Sequence, residues 1–243
     1  MASSRAFENI IKAVRDDIEA KRLRPGDKLP AERELAVKFG VGRNAVREAL
    51  RTLESAGLIK LQKGVNGGSF VREGSYEGVT QSFRDMLALG RITLDDMTSA
   101  RQDIMRIVLE HAAKKATKED FEKIRINIDR SEIATRDKQY GEQLKLTEEF
   151  YRLLAESTKN YVLVLIILPL SEVVRRFVVA ANIPPPRNVI NSRRRTLECL
   201  MAGDAQGAIE AVNTHLEIVH QSIRKRFPES ELPAVEDPQA SEK

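Results

Sequence analysis

Arg43, Asn44 and Arg47 fall within five residues of the stretch GRNAVREALR (42–51), beside Val46, Ala49 and Leu50. On a helix, Arg43 and Arg47 stand at i and i+4 and share a face with Asn44 beside them, while Val46, Ala49, Leu50 and Leu53 take another. A guanidinium offers a two-pronged donor to guanine or to a phosphate, and an asparagine amide pairs in the same way with adenine. The chemistry open to this stretch is recognition of an anionic duplex, with the apolar side anchoring the helix in its own domain. Basic residues also stand on exposed helices as plain solvated surface, so the neighbouring elements must decide.

Those elements form an ordered series. SSRAFENIIKAVRDDIEAKRL carries Phe7, Ile10, Ile11, Val14, Ile18 and Leu23 at helical spacing, and the Pro-Gly turn of RPGDK closes it. LPAERELAVKF predicts a short second helix with Pro30 in its first turn, Glu32 and Glu34 at its positive end and Gly40 as its stop. A third helix is expected from about Arg43 to Ala56, ended by Gly57. The period then changes. Leu58, Ile59 and Leu61 precede a glycine-rich turn, and Phe70 and Val71 follow it, which predicts a hairpin tipped near Asn66, Gly67 and Gly68. Helix, helix, tight turn, helix and β-ribbon is the order of a winged helix-turn-helix, whose second tight helix enters a DNA major groove.

Charge is segregated in step with this order. Residues 1–72 hold 15 Lys and Arg against 9 Asp and Glu, whereas residues 73–243 hold 25 against 27. One module faces a polyanion and another does something else. REGSYEG is polar and glycine-bearing, and residues 73–78 are expected to be a linker. Beyond it the pattern is helical over roughly 79–90, 94–115, 117–137, 141–157, 160–181, 187–202 and 204–226. The Pro- and Glu-rich residues 228–243 are expected to be disordered. The fold class expected is mainly α: a winged helix-turn-helix with a small β-hairpin wing over residues 1–72, then an all-α helical bundle over 79–227.

Several function classes drop out. A single cysteine, Cys199, excludes an intramolecular disulfide and most thiolate metal sites, and it reads as a buried, inert thiol. The apolar run YVLVLIILPL is only ten residues long, contains Pro169 and reads as domain core. The sequence opens without a secretory signal, so a cytoplasmic location is expected. GVNGGS lacks a Lys-Ser/Thr pair and leads into a strand, against a phosphate-binding loop. No nucleophile setting or metal-hydrolase motif is recognisable, so the chain is not expected to be an enzyme.

LPAERELAVKFGVGRNAVREALRTLESAGLIKLQKGVNGGSFV closely resembles the DNA-binding domain of GntR-type bacterial transcription regulators, with LPAER, VREAL and GGSFV in order at that family's spacing. The resemblance implies that Arg33, Arg43 and Arg47 carry the main DNA contacts. It also implies that Lys63 and the wing glycines Gly64, Gly67 and Gly68 approach the minor groove, and that a homodimer sits on a short palindromic operator. Gly42 departs from the family's usual Ser or Thr, removing a capping hydroxyl that would also meet a phosphate.

The helical remainder is similar to the effector-binding FCD-type domain of the FadR-like branch, through ARQDI, AAKKATKEDF, EEFYRLLAESTKN and LMAGDAQGAIEAVNTHL. Many members of that branch hold a divalent metal with one Asp and three His, and the resemblance places Thr147, Tyr151, Arg193 and His215 at those positions. Only His215 is retained. His215 and His220 would face apart by about 140° on a regular helix, so the metal site reads as lost and no cofactor is expected. Arg101 matches an arginine of the relatives' effector pocket. Two readings of Arg193 stay open: with Arg101 it clasps a carboxylate or phosphate directly, helped by Thr147, Tyr151 and His215, or it turns to solvent with Arg194 and Arg195. Arg175 and Arg176 read as a charged surface pair, with reach to a bulky acidic ligand such as a CoA thioester as the alternative.

The function expected is a ligand-responsive DNA-binding regulator, a repressor of a catabolic or metabolic operon released from a palindromic operator by a small carboxylate or acyl-CoA-type effector. The alternative is a constitutive architectural DNA binder whose helical domain only dimerises.

Overall fold

A computed structural model describes residues 2–64, 67–72, 74, 76–184 and 188–227, with side chains from Phe7 onward. The expected hairpin tip at Asn66, two positions of the linker and the tail at 228–243 lie outside the described residues. The chain divides into two compact units between Gly78 and Val79.

In the first unit, helices α1 (Ala2–Glu19), α2 (Glu32–Phe39) and α3 (Arg43–Ser55) precede strands β1 (Ile59–Gln62) and β2 (Gly68–Val71). Val46, Ala49, Leu50 and Leu53 of α3 are buried against Ile10, Val14, Leu29, Leu35, Ile59 and Val71. A core this small holds because every element contributes an apolar stripe to it. Gly40 ends α2 in the left-handed conformation at φ 64°, a geometry that a side chain resists. β1 and β2 pair antiparallel with Ile59 opposite Val71.

Two local expectations are corrected. Pro30 stands ahead of the cap residue Ala31 rather than in the first turn, because Ala31 is extended and its N–H donates to Glu34 Oε2 at 3.0 Å. Leu23 lies past the end of α1, and the chain after it is tied to the hairpin instead: Gly26 N–H donates to Val71 O at 2.9 Å and Leu29 N–H to Ser69 O at 2.8 Å.

The second unit consists, among the described residues, of α4 (Glu77–Ala88, entering from the first unit), α5 (Leu94–Lys115), α6 (Lys118–Arg136), α7 (Tyr140–Glu156), α8 (Tyr161–Ala180), α9 (Val189–Met201) and α10 (Ala205–Arg226). α6 packs on α7 and α9 on α10, with α5 and α8 between them. Thr93 and Thr117 begin α5 and α6 as capping boxes with Asp96 and Asp120. The buried residues of α8 run from Leu163 to Phe177, and Pro169 sits inside it. Its first two residues, Tyr161 and Val162, are exposed, so the core begins later than the apolar run suggests. Among the described residues no helix is long and apolar enough to cross a membrane.

Candidate functional site

On the first unit, Arg33, Arg43, Asn44 and Arg47 are exposed, opposite the buried face of α3. Gly42 caps α3 with no side-chain hydrogen bond, as its missing hydroxyl requires. Among the described residues, no carboxylate lies within ion-pair range of Arg33, Arg43 or Lys63. Arg47 differs. Its Nε donates to Glu32 Oε2 at 2.9 Å, a pairing across fifteen residues that no local pattern announces. Lys63 and Gly64 are exposed at the wing, while Gly67 and Gly68 are half-buried. Gly67 N–H donates to Gly64 O at 2.9 Å, and a Cβ on Gly67 would collide with the backbone of Gln62 and Gly64. Gly67 is thus required to close the turn.

The second unit contains a cavity of about 510 Å³, within the range of roughly 300–1,000 Å³ usual for small-molecule sites. Arg101, Thr147, Tyr151, Arg193 and His215, drawn from α5, α7, α9 and α10, all line it. Arg101 is 7 % exposed and Arg193 5 %. Arg101 Nε donates to Ser171 Oγ at 3.2 Å, and its guanidinium lies 4.6 Å from the centre of the Tyr151 ring. Arg193 donates from Nη1 to Ser131 Oγ at 3.0 Å and from Nη2 to Thr147 Oγ1 at 2.7 Å, and lies 4.8 Å from the centre of the Phe150 ring.

Hydroxyls and ring faces orient these guanidiniums but neutralise neither. Among the described residues, no carboxylate stands within ion-pair range of Arg101 or Arg193. Burial pushes both below the ordinary arginine pKa, with Tyr151 opposing the shift. His215 is pushed down to about 3, first by burial and then by the fields of Arg193 and Arg101. It is a neutral imidazole, and its Nδ1 has no partner.

A divalent cation does not fit this set. Thr147 and Tyr151 supply neutral hydroxyls, Arg193 supplies a cation, and only His215 is a nitrogen donor. The two fields that keep a proton off His215 also oppose a metal ion. Among the described residues no group of three His, Cys, Asp or Glu side chains could hold one.

The reading in which Arg193 joins Arg194 and Arg195 in solvent is overturned. Arg194 pairs with Asp129 and Glu132 and Arg195 with Glu198 on the outside, while Arg193 points inward. A sequence signal existed. Val189, Leu197 and Leu200 lie four residues before, four after and seven after Arg193, on one buried stripe. Arg101 likewise lies between Met97 and Met105 on the buried stripe of α5. Arg175 and Arg176 are corrected too: both pack on Glu172 with side chains largely covered, and Arg175 lines the cavity. Ser131, Gln143 and Ser171, which also line it, were missed.

Comparison with known proteins agrees across the chain. Residues 6–71 match the family described as "Bacterial regulatory proteins, gntR family", and residues 96–218 match the FCD domain. A protein of Escherichia coli K12, provisionally named an L-lactate dehydrogenase operon regulatory protein, is 31 % identical over 237 residues, 93 % of this chain and 89 % of its own length. The HTH-type transcriptional regulator LutR of Bacillus subtilis is 25 % identical over 88 % of this chain and 99 % of its own length. In fold, a solved structure of Streptococcus agalactiae GntR superposes with a TM-score of 0.66 at 20 % identity, covering 89 % of this chain and 99 % of that one.

Proposed function

The chain belongs to the gntR family of bacterial regulatory proteins and carries an FCD domain over residues 96–218, and from this we propose how its two parts divide the work of a ligand-responsive DNA-binding regulator. Residues 1–72 bind double-stranded operator DNA. Arg43, Asn44 and Arg47 enter the major groove, Arg33 holds the backbone, and Lys63 with Gly64, Gly67 and Gly68 brings the wing to the minor groove. Residues 79–227 hold an acidic effector and pair two copies on a palindrome, with 73–78 as linker, of which Glu77 and Gly78 already belong to α4. Binding in the cavity favours a state with lower operator affinity, so the protein acts as a cytoplasmic repressor that its effector releases. A coupling of about 1–3 kcal/mol suffices to change occupancy roughly 5–150-fold. This organisation is that of the FadR-like branch.

One observation carries the effector half of this reading: two buried guanidiniums, with no carboxylate partner among the described residues, face one cavity. Leaving a cation desolvated and unpaired is unfavourable by several kcal/mol, and an anionic ligand relieves that penalty. A domain that only dimerises gains nothing from such a cavity, which weighs against the architectural alternative. The test is selection of genomic fragments by the full-length protein, followed by titration of the complex with organic acids, phosphate esters and acyl-CoA thioesters. Sequence-selective binding, released by at least one anion, is the expected result. Unselective binding would overturn the operator role, and selective binding that no anion alters would overturn the sensing role.

A further inference from the structure

We propose that the effector is a dianion with an apolar body, bound by Arg101 and Arg193 without a metal ion. This rests on the anionic-effector reading above and sharpens it by counting charge. Among the described residues, three arginines, one glutamate and one histidine line the cavity. Arg175 shares Glu172 with Arg176, and Glu148 also lines the cavity, so the formal charges of these four side chains sum to zero. His215 adds no charge. Among the described residues two positive charges then remain without a carboxylate in ion-pair range, on Arg101 and Arg193.

Each is held from a different helix. Ser171 on α8 takes Arg101, while Ser131 on α6 and Thr147 on α7 take Arg193. Fixed from separate elements, the guanidiniums cannot turn toward a common distant counter-charge, and the ligand must bring the charge to them. A monoanion leaves one of them uncompensated in a desolvated place; a dianion leaves neither. Val174, Val178, Ile183, Val189 and Ile190 also line the cavity and receive hydrocarbon. Gln143 Oε1 and His215 Nδ1, buried and without partners, are left to bond a hydroxyl or amide on the ligand. Two negative charges on a small molecule come from a dicarboxylate or from a phosphate monoester.

The experiment is calorimetric titration of the EDTA-treated full-length protein. Succinate, glutarate and phthalate are each compared with their half-amides, alongside glycerol phosphate and the monoanion L-lactate. At least one dianion is expected to bind at least about 30-fold more tightly than its neutralised counterpart, the loss that follows from stranding one buried charge. A preference for dicarboxylates or for the phosphate monoester supports the inference and identifies the carrier. In Arg193→Met, the advantage of dianion over half-amide should shrink to within about threefold, a change of selectivity that loss of packing alone does not produce. Half-amides or L-lactate binding as tightly as the dianions would overturn the charge count and leave the anionic-effector reading standing. Binding abolished by EDTA and restored by a divalent metal would overturn the metal-free arrangement. If no anion of any kind binds, both the inference and the reading beneath it fail.

Discussion

The two units use arginine in opposite ways. Arg33, Arg43 and Arg47 stand in water on the first unit, Arg47 with 56 % of its side chain exposed even while paired to Glu32. Arg101 and Arg193 lie inside the second unit, stacked on aromatic rings and bonded only to neutral groups. An exposed guanidinium is screened by salt and free to move, which suits a long, uniform polyanion that many such contacts must track. A buried one has lost its hydration during folding. It therefore selects for ligand charge, weakens the fold that holds it, and is screened little by added salt.

That contrast can be broken most directly by salt. If the first unit makes about six to ten phosphate contacts, operator affinity should fall by about 10³–10⁵ between 50 and 200 mM salt. Effector affinity should change by less than about threefold over the same range. Equal salt slopes in a binding titration would erase the distinction. Next in size is Arg193→Met, which should weaken effector binding by about 2–5 kcal/mol yet raise stability toward urea by about 1–4 kcal/mol, since a desolvated charge is replaced by hydrocarbon. A strongly destabilised variant would mean that Arg193 serves the fold. On the exposed side, Arg43→Ala should lower operator affinity by about 1–3 kcal/mol and relax base preference at one position, without moving the urea midpoint.

The buried field has a smaller signature in acid. His215 titrates near 3 in the folded protein against an ordinary 6.5, so the unfolded chain binds a proton that the folded chain refuses. Its contribution to stability is complete above about pH 6.5 and declines as pH falls toward 3, by about 1.4 kcal/mol per unit. His215→Gln should flatten the urea stability profile by about that slope between pH 5 and 6.5; an unaltered profile would mean that burial and the arginines do not keep His215 neutral. The smallest effect expected is at Gly42, where φ is −71° and a Cβ meets nothing within 4 Å. Gly42→Ser should stabilise the first unit by a few tenths of a kcal/mol and tighten DNA binding through one phosphate contact.

Much of the architecture was legible because it is local. Val46, Ala49, Leu50 and Leu53 reveal the inward face of α3 by period alone, and Gly40 marks a helix end because only glycine relaxes at that backbone angle. In the second unit, helix limits follow from Thr117-x-x-Asp120 and similar caps, whose partners sit three residues apart. The candidate site was legible only in part. Its five residues came through family likeness, and the stripe that turns Arg193 inward could have been read from Val189, Leu197 and Leu200.

What tertiary structure alone decided is which charges lack a partner. Arg47 meets Glu32 and Arg194 meets Asp129 and Glu132, while Arg193, next to Arg194 in sequence, meets among the described residues only hydroxyls and a ring. Sequence fixes which side chains can carry charge and, through helical period, which way each one faces. Whether a charge is compensated depends on groups brought together from distant parts of the chain, at separations set by packing, and Coulomb attraction and desolvation both act through those separations.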